Sequence, residues 1–302
     1  MITENTEHYS TTPTTILKRK VKKEESTSQK IIREFCKKRT AFVSLIILLI
    51  IFSSCLLAPV IAQYDPLEGD IKDRLLVVGS EGHILGTDEQ GRDMLTRILY
   101  GGRLSLLAGI APVLVAGLIG SFLGIVAGYF GGIINTIIMR TLDIFYAFPA
   151  ILLAIGISAA LGQGINNIII AISIVFIPPV ARIAESAVKG VREEEFIEAA
   201  KSSGANNFSI IRYHIIMNVF SRLFVYCTTQ ISISLVLASG LSFLGLGVSP
   251  PNPEWGIMLN NLKQQIFINP LLTIIPGLFI FITALAINLV SDGLRDALEI
   301  KE

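Results

Sequence analysis

The sequence predicts an all-α polytopic membrane protein with six spans, and three observations lead there. Of the 302 residues, 52% belong to the hydrophobic set and only 16% are charged, against about a quarter charged in soluble domains. Five stretches, 40–64, 104–139, 144–181, 223–253 and 264–291, contain no Asp, Glu, Lys or Arg and together make up more than half the chain. Crossing a hydrocarbon core of about 30 Å takes roughly 20 helical residues, so each stretch has room for one crossing or two. This composition excludes a disulfide-stapled secreted domain, a disordered chain and a cytosolic enzyme with a small anchor. The near-neutral net charge of +1 offers no basic surface for nucleic acid.

Residues 1–40 are a basic tail, expected to set topology and assigned no further role. No apolar run follows the initiating Met there, so no cleavable signal peptide is expected. The first span is 41–62, followed by an extracytoplasmic segment, 63–103. Residues 104–292 hold the remaining five spans, and 293–302 form a C-terminal tail. The 104–139 stretch is too long for one crossing. Gly128-Tyr129-Phe130-Gly131-Gly132 divides it into a second span near 104–127 and a third starting near Ile134. Leu161-Gly162-Gln163-Gly164 ends the third span near 160 and opens the fourth, which runs from about 165 to Arg182. A polar stretch over 182–213 precedes a fifth span near 215–243 and a sixth near 270–291.

Residues 1–39 hold ten Lys or Arg, clustered directly before the first span, which places the N-terminus in the cytoplasm. An even number of spans then puts both termini inside. With that topology the inside segments carry 19 basic and 15 acidic residues and the outside segments 6 and 9, the bias expected of a correct orientation. Within the spans, Arg140 and Asp143 lie three apart on one helical face, either as a structural pair or as part of a pathway. Gly120, Gly124, Gly128 and Gly132 recur every four residues and predict close helix packing. Pro149, Pro178, Pro179 and Pro276 are expected to kink their helices and free backbone carbonyls. Cys36, Cys55 and Cys227 form no CxxC pair and read as small hydrophobes.

The inner polar stretch contains Glu193-Glu194-Glu195-Phe196-Ile197-Glu198-Ala199-Ala200-Lys201-Ser202-Ser203-Gly204. Acidic residues open it, Phe196, Ala199 and Ala200 fall at i, i+3 and i+4, and Gly204 suits a left-handed stop. A short amphipathic helix over 193–204 follows, either a plain surface helix or one that transmits a push into the membrane. Glu198-Ala199-Ala200, Gly204 and His214-Ile215-Ile216-Met217-Asn218 together resemble the EAA-loop signature of binding-protein-dependent ABC importer permeases. Leu85-Gly86-Thr87-Asp88-Glu89-Gln90-Gly91-Arg92-Asp93, Leu241-Ser242-Phe243-Leu244-Gly245-Leu246-Gly247 with Pro250 to Gly256, and Asp292-Gly293-Leu294-Arg295-Asp296-Ala297-Leu298 are similar to stretches of the dipeptide/oligopeptide/nickel type, C-subunit kind. The resemblance covers the chain from the first span to its end. Two positions depart from it. Met217 stands where relatives commonly have proline, and Glu185 where many repeat the arginine matching Arg182.

The resemblance implies a type I, MetI-like permease fold in the cytoplasmic (inner) membrane, bathed by membrane lipid. It implies a second homologous permease, separate ABC ATPase subunits and an extracytoplasmic solute-binding protein as partners. It makes the short helix a coupling helix, with Phe196, Glu198, Ala199, Ala200, Gly204, His214 and Asn218 as the ATPase-facing set. On the outer side, Asp88, Gly91, Arg92 and Asp93 either pair among themselves or meet the binding protein. His214 is a capping or docking residue, and Asp292, Arg295 and Asp296 either cap the sixth span or touch the ATPase. Trp255, the sole tryptophan, is expected in an interfacial aromatic belt.

No Gly-x-x-x-x-Gly-Lys-Ser/Thr stretch occurs, so ATP hydrolysis falls to another subunit. His8, His83 and His214 lie far apart, and neither a metal nor another cofactor is expected. The expected activity is ATP-driven import of dipeptides or oligopeptides by alternating access. Nickel or another small solute is the alternative. An ion-coupled secondary carrier is disfavoured because only Asp143 stands as a candidate coupling residue, and a non-transporting scaffold is the third reading.

Overall fold

A computed structural model describes residues 27–299, and among these every extended regular element is a helix. In chain order they are α1 (Thr27–Lys37), α2 (Arg39–Leu56), α3 (Ala58–Ile61), α4 (Met94–Phe130), α5 (Gly132–Tyr146), α6 (Ala150–Leu161), α7 (Ile165–Arg192), α8 (Glu195–Ser202), α9 (Asn207–Ser209), α10 (Ile216–Phe243), α11 (Trp255–Leu262) and α12 (Pro270–Glu299). A π-helical turn, Ile210–Ile215, joins α9 to α10, so that Asn207–Phe243 is one continuous rod. Five helices are long and apolar enough to cross a membrane, and the α5–α6 pair makes a sixth if it counts as one span.

That pair corrects one expectation. The third span is not a straight helix from 134 to 160, because α5 and α6 meet at 85°. The break falls at Ala147-Phe148-Pro149. Proline has no N–H to give and disfavours helical geometry in the residue before it, and Pro149 serves as the extended N-cap of α6. Pro178, Pro179 and Pro276 instead sit inside helices that run through them. Pro112, not singled out from the sequence, shows how a span tolerates one. It lacks the N–H that would bond the Ala108 carbonyl, and the buried Ser234 of α10 donates to that oxygen at 3.3 Å, a neighbour satisfying a freed group.

The second span also differs from expectation. It belongs to a 37-residue helix that starts at Met94 rather than near 104, because Asp93 accepts a hydrogen bond from the Thr96 N–H at 2.7 Å and caps it. Gly131, at φ +67°, ends it. Residues 27–37 of the expected tail form a helix, α1, and residues 1–26 lie outside the described chain. The last span continues without a break at 292 to Glu299.

Close packing of α4 on α7 follows from the glycine stripe. A Cβ at Gly120 would sit 2.9 Å from the Ile177 carbonyl, one at Gly124 2.3 Å from that of Ala181, and one at Gly128 2.8 Å from that of Glu185. Small residues here let two backbones approach. Gly132 is not part of that contact: nothing lies near its missing Cβ, and its φ of +51° marks it as a hinge residue between α4 and α5. Three apolar clusters result. The central one joins α4, α6, α7 and α10 around Val113, Ile168, Ile172 and Leu241. The outer one joins α2, α4, α11 and α12 around Ile98, Trp255, Met258 and Leu272. The inner one gathers Tyr129, Val188, Ile197, Ile210, Ile215 and Val219.

Candidate functional site

On the inner side the short helix forms where expected, trimmed to Glu195–Ser202. Glu195 and Glu198 occupy its first turn and Lys201 its last, matching the helix dipole. Its stop is a Schellman motif: the Gly204 N–H donates to the Lys201 carbonyl at 2.9 Å and the Ala205 N–H to that of Ala200 at 3.1 Å. Gly204 has φ +83° with open space around it, so the backbone angle, and not crowding, requires glycine.

The apolar positions of α8 do not share one face. Ile197 is fully buried in the inner cluster and Ala200 is half-buried against it, whereas Phe196 and Ala199 face outward with Glu198. The helix is thus held by one side and presents the other. Phe196 lies 6.1 Å from the ring of His214, and Asn218 donates to the His214 carbonyl at 2.6 Å. The structure therefore brings Phe196, His214 and Asn218 together across the π-helical turn. Sequence reasoning missed Ile197, the anchor, although its spacing to Ala200 and its β-branched bulk are a readable core signal. It also missed the strut formed by Tyr129 on α4, whose hydroxyl donates to Asn207 Oδ1 at 2.9 Å. Met217 is exposed just past the π turn.

Near the inner ends of α5 and α7, Arg140 does pair with Asp143, at 3.7 Å, but Arg182 of α7 is the closer partner of Asp143 and also lies 4.8 Å over the Tyr146 ring. Glu185, the departing position, accepts from Asn135 at 2.7 Å and pairs with Lys189. It ties α7 to α5.

On the outer side the charged motif is buried. Asp88, Arg92, Asp93 and Arg97 are each no more than 5% exposed. Arg92 Nε donates to Asp88 Oδ2 at 2.7 Å and Arg97 Nε lies 3.2 Å from the same oxygen. Asp88 Oδ1 accepts from the Gln90 and Arg92 N–H groups, and Asp93 Oδ1 lies 2.9 Å from His83 Nδ1. Arg97 also donates to the carbonyls of Pro66, at 2.6 Å, and Pro251, at 3.3 Å, which staples two loops to α4. Gly91 is required twice over. Its φ is +74°, and a Cβ would fall 1.8 Å from the Asp70 carbonyl. These side chains spend their bonds on one another, the mutual-pairing alternative of the two weighed from the sequence.

Trp255 is not a belt residue. It is wholly buried and donates from Nε1 to the Ile98 carbonyl at 2.9 Å, in a space that exists because a Cβ at Gly102 would lie 2.7 Å from its ring. Beside it the buried Glu254 accepts from the Gly256 and Ile257 N–H groups and from Ser105, capping α11. Burial pushes its carboxyl above the usual range, with those hydrogen bonds opposing. Burial, then the Asp88 charge, also raises that of Glu89. Among the described residues no cluster of three or more His, Cys, Asp or Glu is placed to hold a metal ion.

A helical membrane bundle with a short, outward-facing inner helix between two spans and a rigid outer cap defines a transporter subunit, and comparison with known proteins gives its family. Residues 120–301 match the binding-protein-dependent transport system inner membrane component family, and residues 26–76 match the N-terminal membrane domain of oligopeptide transport permease C. The chain belongs to this family of inner-membrane ABC importer permeases. It is 42% identical over 269 residues to a glutathione transport system permease protein, GsiD, of Pectobacterium atrosepticum, covering 89% of each chain. It is equally 42% identical to a dipeptide transport system permease protein, DppC, of Alkalihalophilus pseudofirmus, covering 89% of this chain and 88% of that one. Among solved structures, a chain of the inward-facing MetNI methionine ABC transporter superposes with a TM-score of 0.54 at 18% identity, covering 69% of this chain and 98% of that chain. That likeness is one of fold. The protein is a multi-pass inner-membrane component of a binding-protein-dependent importer.

Proposed function

We propose that this chain is one of two homologous permeases in an ATP-driven importer of short peptides, oriented with both termini in the cytoplasm. The observation that carries this reading is the exposed Phe196–Glu198–Ala199 face of α8. A protein holding a helix by Ile197 alone while leaving a phenylalanine and an alanine outside has a surface waiting for a partner, and the family's ATPase is that partner. The Schellman stop, the Tyr129–Asn207 strut and the Ile197 anchor make α8 stiff enough to pass a displacement into α4 and α10. ATPase closure would thereby switch the path between outward and inward access.

The names of the similar permeases, for glutathione and for dipeptides, support a peptide as solute. An apolar groove of about 820 Å³ between α6, α7, α10 and α12, lined by Phe176, Val236, Leu241 and Phe281 with Ser232 and Asn288 as its polar members, supports a second permease packing there. The outer cap, saturated within itself, is a rigid platform for the solute-binding protein rather than a set of free charges.

Two substitutions test the coupling role. Glu198→Lys and Gly204→Val are expected to leave the chain inserted and assembled with the other permease while uptake of a radiolabelled dipeptide falls by about ten-fold or more, the loss of roughly 1.4 kcal/mol of coupling. Uptake at the level of the unmodified protein in both variants would refute the coupling role. Dipeptide, glutathione and nickel assayed in parallel separate the solute classes.

A further inference from the structure

We propose that α1 is an interfacial helix that binds anionic lipid headgroups of the inner leaflet and thereby holds the inner end of α12. This rests on the cytoplasmic orientation of the N-terminus proposed above. The faces of α1 divide into three. Ile31, Glu34, Phe35 and Lys38 are half-buried against the bundle. Phe35 lies 3.1 Å from where a Cβ of Gly293 would be, and Lys38 Nζ pairs with Asp296 Oδ2 at 2.6 Å, so this side grips α12.

The two remaining flanks are unpartnered by the bundle and differ in chemistry. Ile32, 62% exposed, and Cys36 lie at i and i+4 on one. Lys30, Arg33 and Lys37, at i, i+3 and i+7, are exposed on the next. The acidic member of that neighbourhood, Glu34, sits under them, 2.5 Å from Lys37 and 3.7 Å from Arg33. An apolar flank beside a basic one is what a helix lying in a membrane interface needs, with acyl chains under the first and phosphates at the second. Its position supplies the rest. A single extended residue, Lys38, separates α1 from α2, and the exposed Arg39 opens the first span. The basic flank thus lies at the depth where the chain enters the leaflet. Soluble anionic partners are disfavoured because Ile32 and Cys36 would then stay in water. The helix that α1 grips carries Phe281, Leu285 and Asn288 into the apolar groove, so lipid charge acting on α1 would bias the position of one groove wall.

The test uses the assembled importer in liposomes. Cys36 is the exposed cysteine, with Cys55 buried and Cys227 half-buried, so brief treatment with a membrane-impermeant fluorescent maleimide marks it. Quenching by lipids spin-labelled near the headgroup is expected to be strong in vesicles containing phosphatidylglycerol and weak in pure phosphatidylcholine. It is expected to fall on the order of ten-fold in the Lys30→Glu, Arg33→Glu, Lys37→Glu variant, each basic side chain being worth roughly five-fold in surface affinity. Dipeptide uptake should follow the same lipid dependence. Equal quenching in both lipids, or loss of quenching when the ATPase subunits are added, would overturn the proposal, the latter by assigning the flank to a protein. Labelling of Cys36 from the outer side of oriented vesicles would instead refute the orientation.

Discussion

The outer charge cluster and the inner short helix are built from similar materials, acidic residues, a glycine at positive φ and one large apolar anchor, yet they are finished in opposite ways. Outside, Asp88, Arg92, Arg97 and Glu254 are buried and bonded to one another or to backbone, and Trp255 fills the space beneath. Inside, α8 buries only Ile197 and leaves Phe196, Glu198 and Ala199 to solvent. The glycines make the same point. A Cβ at Gly91 would strike the Asp70 carbonyl, whereas a Cβ at Gly204 would meet nothing. The outer face is complete on its own and the inner face is complete only with a partner, as an importer that receives solute on one side and force on the other requires.

Substitutions that sharpen this contrast fall in a clear order. Asp88→Ala leaves two arginines buried beside each other without their shared acceptor. It is expected to cost about 3–5 kcal/mol, seen as loss of folded protein in detergent melts, while Glu198→Ala leaves the melt unchanged. Gly91→Ala adds a steric clash to an unfavourable backbone angle and should cost more than about 2 kcal/mol, against about 1 kcal/mol for Gly204→Ala, where only the angle is strained. Equal costs would break the distinction between the two faces. Ser105→Ala removes the acceptor of the buried Trp255 N–H and a donor to Glu254 and should cost about 1–2 kcal/mol.

The smallest effect is one of pH. Burial raises the Glu89 carboxyl above its ordinary 4.5, so the native state holds this proton more tightly than the unfolded chain does. Stability therefore falls as pH climbs from about 4.5 through the native value and is level above it. Glu89→Gln removes that slope. It should raise the melting temperature by about 2 °C at pH 7.5 and leave it unchanged below pH 4.5.

The spans were legible because charges are absent from long runs, and the inner helix because its caps and stop are local chemistry. What escaped depends on partners distant in sequence. Several prolines fall within the apolar runs, and nothing local separates Pro112, whose freed carbonyl is met by Ser234, from Pro149, where the chain turns by 85°. Trp255 sits at belt depth, yet its burial is decided by Gly102. The α8 pattern placed Phe196, Ala199 and Ala200 on one side, but the side that packs is set by Ile197 meeting Ile210 and Val188, residues on other elements. Likewise Asp143 was matched with Arg140 by spacing, while its closer partner, Arg182, comes from α7.

Hydrogen–deuterium exchange on the permease pair, with and without its ATPase subunits, tests the central contrast most directly. The account predicts slow exchange at 88–100 in both states, and fast exchange at 195–204 that slows by at least an order of magnitude when the ATPases bind. Unchanged exchange at 195–204 in a complex shown to contain bound ATPase would contradict it.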